Sequence, residues 1–152
     1  MSIEKRLSEA GIELPEVPSP IASYVPVKVA GGLAFVAGQI ARAEGGVLHP
    51  GKVGSDVSVE QAQEAARLCA LQALSALREA LGGFDRLRGI AKVEVFVASA
   101  PGFTDQALVA NGASDVLAEI VGETGVHARA AVGVAELPLG TCVEVALVAE
   151  VG

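Results

Sequence analysis

The sequence predicts an α+β domain in which one mixed sheet carries two helices on one face. Two observations lead there. Apolar residues alternate with polar or small ones in some stretches, and recur at helical steps of three and four in others. These stretches follow in the order strand, strand, helix, strand, helix, strand, strand, which suits a single sheet with helices layered on one side. A third observation concerns assembly. Val145, Leu147 and Val148 make the last strand apolar on both faces, while two helices cover only one. A closed homo-oligomer with sheet packed on sheet is therefore expected.

The elements are read in chain order. Residues 2–10 form a short amphipathic helix, capped by Ser2, striped by Ile3, Leu7 and Ala10, and ended by Gly11. Residues 13–20 hold three prolines and are expected to run extended along the outside of the domain. Residues 1–20 thus make an N-terminal helix and arm, and residues 21–152 one domain. Residues 23–37 read as a hairpin, with Tyr24, Val25, Val27 and Val29 on one strand and Leu33, Phe35 and Val36 on the other. Gly31-Gly32 between them suits a two-residue turn that needs positive φ. Gly38 follows directly. A glycine at a strand end serves either as a bend or as a point where backbone approaches a ligand or another chain. Residues 40–57 are glycine-rich and read as a surface loop, and His49 within it is assigned no role.

Residues 58–81 are the clearest helix. Ser58 and Gln61 have capping-box spacing, Ala62, Ala66, Cys69, Ala73, Leu77 and Leu81 form the buried stripe, and Gly82-Gly83 stops it. Residues 90–99 are a strand with Val93, Val95 and Val97 on one face and Lys92, Glu94 and Phe96 on the other. Residues 104–121 are a second helix, capped by Thr104 and interrupted by Gly112. Residues 127–151 supply two more strands and a turn.

Those last strands place one cation and one anion in otherwise apolar runs. Arg129 shares its face with Ala131 and Gly133, and Glu144 shares its face with Cys142 and Ala146. Small neighbours leave a hollow with both charges in or beside it. A buried charge must be paired or serve a ligand. Two readings follow: a structural Arg–Glu bridge between neighbouring strands, or a site for a small anion. The missing bulk beside Arg129 favours the anion.

Composition excludes other classes. The net charge is −7, and the aromatics are four Phe, one Tyr and no Trp. A nucleic-acid binder needs a basic face and stacking rings, and an anionic membrane surface needs the same basic face. No apolar run is long enough to span a bilayer. Cys69 and Cys142 form neither a CxxC nor a Cys/His cluster, so no metal is expected and both read as reduced thiols. The first residues lack the apolar segment of a signal peptide, and a cytoplasmic location is expected.

The order of elements, together with YVP, AGQI, VFV, VAN, ARAAVGVAELP and VEV, resembles the Rid (YjgF) family of reactive-intermediate deaminases. Some of its members are also described as L-PSP endoribonucleases. The resemblance covers residues 21–151. It implies a chorismate mutase-like fold, a homotrimeric barrel with a cleft at each subunit interface, and no cofactor. It also implies hydrolysis of 2-aminoacrylate and related enamines or imines to 2-keto acids and ammonia. A keto-acid-binding trimer without turnover and an endoribonuclease are the alternatives. By the same resemblance Arg129 holds the substrate carboxylate and Glu144 positions or activates water. Tyr24 lines the cleft, Gly38 brings its backbone to the ligand, and Asn111 matches the asparagine before the second helix. The family's usual cysteine is Ala131 here, so only its backbone can contribute. The family's Pro-Ala-Arg is His127-Ala128-Arg129, and its serine before Gly-Gln is Ala37. The segment between Phe103 and Asn111 is about one helical turn longer than in short members.

Overall fold

Capping chemistry sets the helix boundaries in the computed structural model, which describes residues 1–17 and 23–152. The helices are α1 (Ile3–Ala10), α2 (Val59–Leu81) and α3 (Gln106–Val121), and the strands are β1 (Val27–Ala30), β2 (Leu33–Ile40), β3 (Arg42–Ala43), β4 (Gly46–Val47), β5 (Leu87–Ala98), β6 (Ala128–Val134) and β7 (Val143–Val151). Ser2 caps α1 by accepting from the Lys5 amide, and Gly11 closes it in the left-handed region. At α2 the Ser58 hydroxyl accepts from the Gln61 amide and the Gln61 side chain accepts from the Ser58 amide, a complete capping box. Gly82, again left-handed, ends α2.

The start of α3 departs from the expected Thr104 cap. The flanking residue is Asp105, and no side chain caps the helix. The first turn is instead anchored by Gln106, whose amide nitrogen donates to Phe103 O at 2.9 Å and to Ser99 Oγ at 3.2 Å, tying it to the end of β5. Nor does Gly112 interrupt α3. It is a point of close approach to α2: a Cβ there would meet the carbonyl oxygen of Gln63, with Gln63 C and Cα at 2.8 Å.

Five strands form the main sheet in the order β1-β2-β7-β5-β6, and only β5 and β6 run parallel. Gly31 and Gly32, both at positive φ, make the two-residue turn between β1 and β2. The pairing of β2 with β7 shifts register between Val36 and Gln39, a bulge that contains Ala37 and Gly38. One face of the sheet presents Val36, Val93, Val95, Val97, Val143, Val145 and Leu147 to the helices, and all are buried. Alanines dominate the facing stripe of α2, so its backbone lies close to the sheet. The other face carries the cross-strand pairs Phe35–Val148 and Phe96–Val132. Phe35 is 44 % and Val132 47 % exposed, so large apolar side chains lie uncovered on this face in the single chain, beside Lys28, Lys92 and Glu94.

The segment after β2 is not merely a surface loop. It contains the β3–β4 ribbon, and both Val53 and Val57 are buried. Val53 is held by hydrogen bonds to both sides of Ser99, from its amide to Ala98 O at 2.8 Å and from the Ala100 amide to its carbonyl at 3.0 Å. The described part of the arm packs Ile12, Leu14 and Val17 against the core, and Ser75 on α2 donates to Pro15 O. Residues 18–20 of the expected arm, and the first residues of the family resemblance, lie outside the described residues.

The crossing at Gly112 decides the sign of one substitution. Alanine is the better helix former by about 1 kcal/mol, but overpacking against backbone costs about 1–3 kcal/mol and the Gln63 carbonyl has nowhere to go. Gly112→Ala is expected to lower the midpoint of chemical denaturation despite its better helix propensity.

Candidate active site

Arg129 lies on β6, an edge strand, opposite Val93 of β5. Its side chain therefore leaves the sheet on the helix side and meets α3. Nη1 donates to Asn111 Oδ1 at 2.9 Å and to Ser114 Oγ at 3.1 Å, and Nη2 donates to Ala107 O at 3.2 Å. Asn111 and Ser114 are three residues apart and so share one face of α3. Asn111 sits inside this helix, not before it. A guanidinium has five N–H donors, and its own chain engages three of them. Arg129 is exposed, and none of the ion pairs among the described residues includes it. The cation is held in place without being neutralised.

Glu144 lies on β7 opposite Phe96 of β5 and Ile40 of β2. It leaves the sheet on the uncovered face, half-buried among apolar neighbours. Burial raises its carboxyl pKa above the usual carboxylate range. Gly38, in the bulge, is its close neighbour. A Cβ at position 38 would come within 2.5 Å of Glu144 Oε2 and 2.9 Å of its Cδ, so only glycine leaves the carboxylate its place.

These positions overturn the reading of one hollow holding both charges. β5 separates β6 from β7, and the register puts Arg129 and Glu144 on opposite faces of the sheet. A structural bridge between neighbouring strands is excluded for the same reason. The single chain thus brings together two groups: Arg129 with Asn111 at the β6–α3 edge, and Glu144 with Gly38 on the open face. Ala131 shares the face of Arg129 and packs its methyl against the core. Tyr24, expected with Val25 on the first strand, precedes β1, which begins only at Val27, and is 48 % exposed.

Sequence reasoning passed over Ser114 and noted His127 only as standing in place of the family's proline. His127 Nε2 lies 2.9 Å from Ser114 Oγ, and its Nδ1 lies 2.6 Å from Gly125 O. The spacing of Ser114 from Asn111 was the available signal, since residues three apart on a helix reach the same neighbour. The other histidine, His49, pairs with Glu64 on α2 at 3.0 Å. Burial raises the thiol pKa of both cysteines, that of Cys142 to about 11, so neither is a ready nucleophile. Among the described residues no group of three or more His, Cys, Asp or Glu side chains is placed to hold a metal, and no helix is long and apolar enough to cross a membrane.

Comparison with known proteins agrees with this architecture. The family model described as "YjgF/chorismate mutase-like, putative endoribonuclease" matches residues 4–151. Protein TCP17 of Trypanosoma cruzi is 44 % identical over 144 residues, which are 94 % of this chain and 90 % of that protein. The solved structure of protein Atu1372 from Agrobacterium tumefaciens, of unknown function, is 44 % identical with a TM-score of 0.91, over 99 % of this chain and 92 % of that one. Escherichia coli TdcF, solved with bound serine, shares the fold at 24 % identity and a TM-score of 0.60, over 90 % of this chain and 94 % of that one. With nearly every residue inside the match, the chain belongs to the YjgF/chorismate mutase-like family.

Proposed function

We propose that the protein hydrolyses reactive enamines and imines of the 2-aminoacrylate type to 2-keto acids and ammonia, in clefts shared between protomers of a homotrimer. The observation that carries this reading is the condition of Arg129: oriented by three hydrogen bonds, unpaired with any described carboxylate, and exposed at a sheet edge. A planar guanidinium with donors to spare suits a small carboxylate. The opposite-face placement of Glu144 supports a shared cleft, because one protomer would bring Arg129, Asn111 and the Ala131 backbone while the next brings Glu144, Gly38 and Tyr24. The uncovered apolar side chains of Phe35 and Val132 support the assembly that would bring them together. The serine bound to TdcF, a small molecule with a carboxylate, is in keeping with this ligand class.

In this mechanism the substrate carboxylate docks on Arg129 and the enamine is hydrolysed as its imine tautomer. Glu144 takes a proton from water as the oxygen adds to the imine carbon, and the nitrogen gains a proton from solvent. The carbinolamine collapses as Glu144 returns its proton to the nitrogen, the C–N bond breaks as C=O forms, and the hydroxyl proton passes back to solvent. Ammonia leaves and the keto acid remains. The imine is already electrophilic, so the site works by placement and charge. The raised pKa of Glu144 makes it a stronger base than an ordinary carboxylate. Endoribonuclease activity is the poorer fit, since a net charge of −7 and five aromatic rings offer RNA little to hold.

Two measurements test this. With 2-aminoacrylate generated by a pyridoxal-phosphate-dependent dehydratase, wild-type protein should accelerate pyruvate release. Arg129→Ala should lower kcat/KM by about 100-fold, the worth of losing charge-assisted hydrogen bonds. No acceleration by wild type, with calorimetric binding of 2-ketobutyrate intact, would leave a binding protein instead. The second is the pH profile of kcat, where bound carboxylate offsets Arg129. Glu144 must be ionised to act, so kcat falls as pH drops through its pKa, at a pH above the ordinary carboxylate range. Glu144→Gln should lower kcat by roughly 100-fold and abolish that acid limb.

A further inference from the structure

The contacts of His127 and Ser114 have a defined direction. Gly125 O only accepts, so His127 Nδ1, 2.6 Å away, carries the ring proton. The neutral ring then offers Nε2 as an acceptor, and the Ser114 hydroxyl 2.9 Å away must donate to it. With its proton committed to His127, Ser114 Oγ presents lone pairs to Arg129 Nη1 at 3.1 Å. Asn111 Oδ1 and Ala107 O take two further guanidinium hydrogens, leaving two of the five for a ligand. The hydrogen bonds run one way, from Arg129 to Ser114 to His127 and, through the ring, to Gly125.

We propose that Ser114 and His127 are positioning residues for Arg129: together they hold the guanidinium ready to receive the substrate carboxylate. The inference rests on the reading of Arg129 as the carboxylate anchor. A serine hydroxyl can turn its proton toward or away from a neighbouring cation. Turned toward Arg129 it repels the guanidinium, and turned away it anchors it. His127 removes the choice, because its Nε2 takes the proton. The Gly125 carbonyl in turn fixes the tautomer that leaves Nε2 free to accept. His127 thus acts on the ligand site only through Ser114.

The test combines calorimetry with 2-ketobutyrate, initial rates with 2-aminoacrylate, and nitrogen-15 NMR of the imidazoles. Ser114→Ala should weaken 2-ketobutyrate binding and raise KM roughly tenfold, the worth of one hydrogen bond to a charge, with kcat within about twofold. His127→Ala should raise KM about threefold, since the freed hydroxyl can still accept part of the time. His127→Gln, whose amide oxygen can accept from Ser114, should restore wild-type KM. The double variant Ser114→Ala/His127→Ala should match Ser114→Ala alone. His49→Gln, remote from this chain of contacts, should change nothing. NMR should show His127 protonated at Nδ1 and bare at Nε2. A multiplicative double variant, a failed His127→Gln rescue, an unchanged Ser114→Ala, or a protonated Nε2 in the neutral ring would each overturn the inference. Wild-type protein that neither binds 2-ketobutyrate nor hydrolyses 2-aminoacrylate would defeat the deaminase reading as well. Wild type that binds, with Ser114→Ala binding equally, defeats the inference alone.

Discussion

The structure depends on how β5 is paired. It runs through the sheet with β7 antiparallel on one side and β6 parallel on the other. Each residue from Lys92 to Val97 fixes the face of two partners at once. Val93 sets Arg129 and Leu147 on the helix side, while Phe96 sets Val132 and Glu144 on the open side. A slip of one residue would exchange these faces. It would drive Glu144 into the valine layer, where a carboxylate has no partner, and lift Arg129 away from α3. The buried valines of β5 thus specify where the two charged side chains go, as well as supplying apolar burial.

Much of the fold was legible because its signals are local. The capping box at Ser58, the alanine stripe after it, the Gly31-Gly32 turn and the alternation of Val93, Val95 and Val97 each lie within a few residues of one another. The failures have local causes too. Thr104 reads as a cap, but no side chain caps α3, and its first turn is tied down by Gln106 donating back to Ser99 and Phe103. Gly112 reads as a breaker, but it serves a close helix crossing that only the fold creates. Residues 40–57 read as loop because a pair of two-residue strands and two isolated buried valines leave no periodic trace.

The candidate site was legible only as separate parts. Arg129 and Glu144 stood out as lone charges among small and apolar residues. Their relation did not, because strand order is a long-range property: β6 and β7 are consecutive in sequence yet separated by β5 in space. Gly38 shows the same limit. Its sequence context allows a bend or a close approach to a ligand or another chain, and the fold shows a bulge with Glu144 of the same chain set against it. Asn111 and Ser114 became partners of Arg129 through the parallel crossover, which lays α3 over β5 and β6.

The position of β7 bears on how the chain matures. It is the last strand in sequence, yet it lies between β2 and β5. As the polypeptide emerges from the ribosome, β1–β2 and β5–β6 can form only as two detached half-sheets, each with a bare backbone edge. Pairing of β7 covers both of these edges and carries Glu144 to Gly38. Until β7 pairs, the facing edges of β2 and β5 stay open to misassociation.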